Sequence, residues 1–175
     1  MAEPKKASEY TKFQLFVLIY LYARQVEEGT LMESDFYKRV KMTVKEFGNL
    51  APPDILPNTD VEIRRQLDEL RESFLITDTA DKYYLTNTNG VIYVRKYLYY
   101  LASNVPSSHE VSNLLDRAKA KKAVKGFFTG LWPSLKGRSQ DEMANTIVTS
   151  AKHYGTIRVT ALAQVFQQLA SEYVF

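Results

Sequence analysis

The residues of this chain that could take part in chemistry are mainly cationic, because the usual catalytic and metal-binding groups are scarce. The 175-residue sequence contains no cysteine, and its two histidines, His109 and His153, are distant from each other in the sequence. Cysteine nucleophiles, disulfides and cysteine-based zinc sites are therefore excluded, and two histidines make no metal cluster. The sequence also has no Walker loop, no G-x-S-x-G motif and no pair of carboxylates at catalytic spacing. We interpret the chain as non-enzymatic and expect no cofactor.

Cationic side chains are concentrated in the C-terminal part of the chain. Residues 1–105 carry 14 Lys and Arg against 15 Asp and Glu, a net charge of −1, whereas residues 106–175 carry 9 against 5, a net charge of +4. Four cations on or beside one face of a predicted helix are Arg117, Lys121, Lys122 and Lys125. Such a cluster favours contact with nucleic-acid phosphates. A solvated helix face or a membrane-surface contact would give the same pattern.

Two helices with a β-hairpin between them are predicted for residues 58–97. Thr59 and Glu62 have the spacing of a capping box, which marks a helix start. Apolar side chains then recur on one helix face, at Ile63, Leu67, Leu70 and Phe74. Two β-prone runs, 75–77 and 83–86, flank a mainly polar turn at 78–82, which predicts a hairpin. A new helical pattern begins at Val91 and continues to Ala102.

This order of elements resembles the winged helix-turn-helix superfamily over residues 10–103. The resemblance lies in the spacing of Ile63, Leu67, Leu70 and Ile76 and in a wing that ends in Tyr83-Tyr84-Leu85-Thr86. The proline-rich connection over residues 48–57 is longer than a simple helix-turn-helix allows, but it is similar to PadR-like members. The resemblance implies a mainly α fold with a small β wing. It also implies binding of duplex DNA through the helix before the wing, although some members are protein-interaction modules instead.

The resemblance places candidate DNA contacts at the start of this helix, in the wing and on the preceding helix. The candidates are Asn58, Thr59, Arg64, Arg65, Lys82, Lys38 and Lys41. Arg can recognise guanine and Asn can recognise adenine through paired hydrogen bonds. Alternatively, Arg64 and Arg65 pair with the carboxylates four residues later, and the lysines are merely solvated. The outward helix face carries four carboxylates and one cation, which favours the interaction-module alternative.

The whole chain is predicted to divide into two regions, and the parts not yet described are predicted to be helical. A winged-helix domain is expected at 9–104 and a helical C-terminal region at 107–175, after a mobile tail at residues 1–8. Further helices are predicted from Ser34 through Val44, from Glu110 to Thr129, after the Ser139 capping box to Gly155, and from Ala161. The tail has no apolar core, so it is not a secretory signal, and we expect a cytoplasmic protein.

The apolar sequence of the first helix, at about residues 9–28, predicts that another part of the protein or another subunit packs against it. Nine apolar residues in succession, 15–23, are too few to span a membrane. A helix that is apolar on all sides must be covered on all sides, either by the C-terminal region or by another subunit. Together with the stripe of Tyr93, Tyr97 and Tyr100, this favours a homodimer. The expected function is a dimeric DNA-binding regulator or DNA-organising protein; the alternative is an assembly module that does not bind DNA.

Overall fold

The computed structural model of the chain describes residues 3–28, 39–104, 130–153 and 155–172. Within these ranges the elements in chain order are a 3-10 turn (Ala7–Glu9), α1 (Lys12–Glu28), α2 (Val44–Leu50), α3 (Asp60–Glu72), β1 (Ile76–Thr79), β2 (Lys82–Leu85), α4 (Asn89–Asn104), α5 (Gln140–Lys152) and α6 (Thr156–Glu172). Residues 130–135 are also helical. The predicted mainly α fold with a small antiparallel hairpin is therefore confirmed. The helix predicted at 110–129 and the boundary at 105–106 lie outside the described residues.

α1 is the central helix of the structure. It begins with a capping box, in which the Gln14 amide donates to the Thr11 hydroxyl oxygen and the Thr11 amide donates to the Gln14 side chain. Side chains from Phe13 to Ile19 are all buried. α3, β2 and α4 pack against α1, and so do α5 and α6. The second body that the apolar sequence of α1 requires is thus the chain's own C-terminal helices.

The β-hairpin has a tight turn. β1 and β2 pair in antiparallel register, from Ile76 opposite Leu85 to Thr79 opposite Lys82. The two turn residues, Ala80 and Asp81, have φ angles of 52° and 62°. Two left-handed residues in succession define the turn type whose twist matches the flanking strands. The predicted hairpin is confirmed, with a turn shorter than the predicted five-residue turn at 78–82.

The helix predicted from Ser34 through Val44 is wrong in its C-terminal half. Met42 pairs with Tyr83 of β2 as an isolated antiparallel bridge, and the chain around it is extended. α2 begins only at Val44, where the Thr43 hydroxyl accepts a hydrogen bond from the Glu46 amide. The segment is extended because the hairpin edge provides backbone partners, a long-range interaction that helical periodicity does not contain. Met42 thereby adds a third, very short strand to the hairpin.

The connection from α3 through the hairpin to α4 is closely packed. Phe74 has a φ of 58°, and the Leu75 amide after it donates to the Leu70 carbonyl, so α3 ends in a left-handed cap. Beyond β2, the Thr86 hydroxyl donates to the Phe74 carbonyl at 2.7 Å and accepts from the Gly90 amide at 2.7 Å. Thr86 thus joins the end of α3 to the start of α4, and these contacts fix the hairpin relative to α3.

The C-terminal helices share one hydrophobic core with the N-terminal elements. α5 begins as its capping box predicts, because the Ser139 hydroxyl accepts from the Glu142 amide. α6 begins at Thr156, five residues before the predicted Ala161, so that prediction is wrong in its start. α5 packs on α4 and α6 packs on α1. Among the tyrosines that suggested a dimer, Tyr93 and Tyr97 are buried in this shared core.

Within residues 3–8, predicted as a mobile tail, residues 3–6 are exposed, but Lys5 and Ala7 make defined contacts with the folded body. Ala7 is fully buried and Tyr10 is 1% exposed. The Lys5 carbonyl accepts a hydrogen bond of 2.6 Å from the Tyr93 hydroxyl of α4, and the 3-10 turn packs on α6. Burial of one alanine and one tyrosine depends on tertiary packing, so the polar composition of the segment gave no sign of it.

Candidate functional site

The exposed start of α3 carries two of the predicted contact residues. Asn58 and Thr59 are both exposed, and the Thr59 hydroxyl accepts a hydrogen bond from the Glu62 amide at 3.2 Å. Thr59 is therefore the N-cap that the sequence predicts. Val61, in the first turn, is 80% exposed. A polar cap next to an exposed valine could contact another molecule without any rearrangement of the helix.

Arg65 is held by two carboxylates of its own helix. Its guanidinium donates to the Glu62 carboxylate at distances of 2.6 to 3.1 Å and lies 3.6 Å from the Glu69 carboxylate. Hydrogen bonds from Arg65 are the main cause that lowers the pKa of Glu62 to about 2. The contact with Glu69 is the four-residue pairing that the sequence offered as the alternative to DNA contact. Recognition of a base edge by Arg65 would require it to leave Glu62.

The other two arginines of α3 connect the helix to the hairpin. Arg64 lies 4.0 Å from Asp81 in the hairpin turn, not in the predicted pair with Asp68. Arg71 donates to Asp78 of β1 at 3.1 Å and lies 3.4 Å from Asp68. Each arginine of α3 is therefore within 4.0 Å of a carboxylate.

The charge of this surface is negative. Residues 60–85, which include α3 and the hairpin, contain seven acidic and four basic side chains, a net charge of −3. The ion pairs described above neutralise the arginines locally. The excess negative charge therefore lies on carboxylates such as that of Glu72, which is exposed. An excess of carboxylates repels phosphates and attracts cations. We define α3 together with the hairpin as the acidic face.

The Met42 bridge places Lys41 and Lys82 on the same side of the hairpin. Since Met42 lies opposite Tyr83, Lys41 lies opposite Tyr84, two residues after Lys82 on the same side of the strand. The Lys41 ammonium is 5.5 Å from the centre of the Tyr84 ring, and Lys82 is exposed. The remaining predicted contacts, Lys38, Arg117, Lys121, Lys122 and Lys125, lie outside the described residues.

A groove beside α3, which sequence reasoning missed, is bordered by the N-terminal segment. Glu3 and Lys5 line one side, and Arg65, Glu69 and other residues of α3 line the opposite side. The Lys5 ammonium forms an ion pair with Glu69, whose carboxylate also accepts from the Gln14 side chain at 3.3 Å. The Lys5 hydrogen bond is the largest cause that lowers the pKa of Glu69. The contact joins positions 64 residues apart, and no local pattern indicates it.

The described ranges offer neither a metal site nor a membrane span. No group of three or more His, Cys, Asp or Glu side chains there could hold a metal ion. No helix in the same ranges is long and apolar enough to cross a membrane. Comparison of the chain with protein-family models, curated proteins and solved structures finds no match.

Proposed function

We propose that this chain is a non-enzymatic protein-interaction module of winged-helix type, which binds a positively charged partner on its acidic face. The order of α1, the Met42 bridge, α2, α3, the hairpin and α4 supports the winged-helix assignment. In that superfamily the helix before the wing is the usual contact element, and here that helix is α3. The proposal requires no second copy of the chain, because α5 and α6 cover α1.

One observation carries the choice of partner: the arginines of α3 are already paired with carboxylates of the same face. Phosphate contacts dominate the affinity of proteins for DNA. A duplex would have to displace these carboxylates from the arginines and approach a surface with a net charge of −3. A partner rich in lysine or arginine would meet complementary charge, which favours association and its correct orientation.

Duplex DNA is the second candidate, and a different observation favours it. Arg64 of α3 lies beside Asp81, so the start of the helix and the hairpin turn with Lys82 form one exposed end of the molecule. This is the end that a winged helix presents to DNA. The basic residues of the segment 117–125 could add phosphate contacts that do not depend on base sequence.

Anisotropy of a labelled duplex, measured over a range of salt concentrations, tests the choice. We expect Arg65→Ala to leave any duplex affinity unchanged, as does the control Arg24→Ala, which removes an arginine of another surface that is paired with Glu27. Any residual binding should disappear in Lys121→Ala/Lys122→Ala/Lys125→Ala and should be independent of sequence. A loss of about 1–3 kcal/mol at one base position in Arg65→Ala would overturn the proposal in favour of DNA recognition.

A further inference from the structure

The first residues of the described chain divide into an anchored part and an exposed part. Ala7 and Tyr10 are buried, and the Tyr10 carbonyl accepts a hydrogen bond from the Gln167 side chain of α6. Residues 3–6 before them are all exposed. We call residues 3–6 the arm. The arm is therefore an exposed segment attached to a fixed point.

Lys5 makes the contacts that hold the arm against the body. Its amide donates to the Tyr10 hydroxyl at 3.0 Å, and its carbonyl accepts from the Tyr93 hydroxyl at 2.6 Å. Its ammonium forms the ion pair with Glu69 on the acidic face. The two side chains of this pair are 46% and 24% exposed. Solvent weakens such an ion pair, so a segment held in this way can open without unfolding of the core.

Glu69 is also the carboxylate that a cation of a bound partner would find in the groove. It projects between Lys5 and Arg65 and lines the groove together with Asp68 and Glu72. A lysine of the same chain already occupies it. Lys5 thus forms with Glu69 the same kind of ion pair, an ammonium on a half-buried carboxylate, that the proposed function assigns to a cation of the partner.

We propose that the arm is an autoinhibitory latch, in which Lys5 occupies Glu69 and must leave before a cationic segment of the partner can bind there. The occupant of the opened site is a lysine-containing or arginine-containing peptide segment. The inference rests on the proposed function for the identity of the competitor, but opening of the arm can be measured without any partner. Glu69 therefore has two states, one in which Lys5 occupies its carboxylate and one in which the carboxylate is free for the partner.

The variant Lys5→Met tests the latch, because methionine keeps an apolar stem and removes the ammonium. Lys6→Met is the matched control, since it removes the same charge from the neighbouring exposed position. We expect hydrogen exchange of the residue-5 amide to become roughly twofold to fivefold faster in Lys5→Met, the range for a partly exposed ion pair. Exchange in Lys6→Met should equal that of the wild type. Equal unfolding temperatures of the two variants show that the fold is intact.

Competition is measured with fluorescently labelled octalysine as the probe. Lys5→Met should bind it several-fold more tightly than Lys6→Met, whereas Glu69→Gln should weaken binding and Glu72→Gln should change it less. Unchanged amide exchange in Lys5→Met, or equal octalysine affinity in the two lysine variants, would overturn the latch. If amide exchange shows that the arm opens in Lys5→Met but no form of the protein binds octalysine, the proposed function fails. The exchange result then shows that this failure does not come from a closed arm.

Discussion

Glu62 and Arg65, one turn apart near the start of α3, are the pair of residues on which the interpretation of the acidic face depends. Arg65 donates to both oxygens of the Glu62 carboxylate. An arginine held in this way neutralises a carboxylate and presents little charge of its own to a phosphate. The strength of the interaction between Arg65 and Glu62 is therefore the first property to measure at the scale of single residues.

We predict that the carboxyl of Glu62 titrates with a pKa of about 2 and that Arg65→Ala raises this pKa toward its ordinary value of 4.5. Because the folded-state pKa lies below the unfolded value, the pair contributes stability above the unfolded pKa and loses it as the pH falls toward 2. NMR titration of the side-chain carboxyl carbon measures it, with Arg24→Ala as the control. An ordinary pKa for Glu62 in the wild type would show that Arg65 is available for other contacts.

Gly90 gives a second residue-scale prediction. A Cβ atom at this position would lie 2.1 Å from the Leu75 carbonyl oxygen and 2.8 Å from a Leu85 methyl carbon, so no side chain fits. We expect Gly90→Ala to destabilise the protein by at least about 2 kcal/mol, because the hairpin must move away from α4. Chemical denaturation measures the change in the free energy of unfolding.

The matched control is Gly48→Ala, in the helical turns of α2. There the nearest atom to a new Cβ is the Ile63 Cδ1 atom at 3.8 Å, an ordinary contact distance. Alanine in a helix interior is favoured over glycine by roughly 0.5–1 kcal/mol, so this variant should be neutral or more stable. Equal effects of the two substitutions would contradict the close packing of the hairpin on α4.

At the scale of elements, the sequence predicted the helix starts and the hairpin that depend on interactions between residues close in the chain. The capping residues Thr59 and Ser139 mark the starts of α3 and α5 correctly, because capping acts over three residues. The hairpin was predictable from its alternating pattern and polar turn. The start of α2 was not, since Met42 is extended only because Tyr83 provides a backbone partner 41 residues away.

The candidate site divides in the same way. Pairing of Arg65 with Glu69 was visible as a spacing of four residues, and the structure contains it. Pairing of Arg64 with Asp81 and of Arg71 with Asp78 requires the hairpin to fold back beside α3. Lys5 reaches Glu69 only because Ala7 and Tyr10 are buried in the core. The sequence therefore indicated the acidity of α3, whereas tertiary structure decides which carboxylate neutralises each cation.

Tyr22 of α1 links the N-terminal elements to α5, which gives a prediction for this contact between elements. Its buried hydroxyl donates to the Asn145 side chain at 3.0 Å and accepts from Arg95 of α4 at 3.0 Å. Tyr22→Phe leaves both partners without this oxygen, and we expect a loss of about 1–2 kcal/mol in the free energy of unfolding. The half-buried Tyr99 is the control, and Tyr99→Phe should change the free energy little. Equal stability of both variants would show that the link is energetically unimportant.

At the scale of the whole molecule, the shared core predicts that the chain unfolds as one unit, not as two domains. The single tryptophan, Trp132, lies in the C-terminal part and packs against the core, so its fluorescence reports that part. Leu67 of α3 is fully buried in the N-terminal part. We expect Leu67→Ala to cost about 2–5 kcal/mol and to shift the Trp132 fluorescence and circular dichroism transitions equally. If the Trp132 fluorescence transition does not shift in Leu67→Ala, the molecule consists of two domains that unfold independently.

The choice between a basic protein partner and duplex DNA concerns the whole acidic face, so it is tested best by a measurement that observes every residue of that face. Amide chemical shifts can be followed in a labelled protein carrying Lys121→Ala/Lys122→Ala/Lys125→Ala, so that the basic segment does not contribute. We predict that octalysine shifts the amides around Glu69 and Glu72 of α3, and that a short duplex at the same low salt concentration shifts none on this face. The opposite result, with duplex DNA shifting Asn58, Arg64 and Arg65 and octalysine shifting none, would contradict the proposed function.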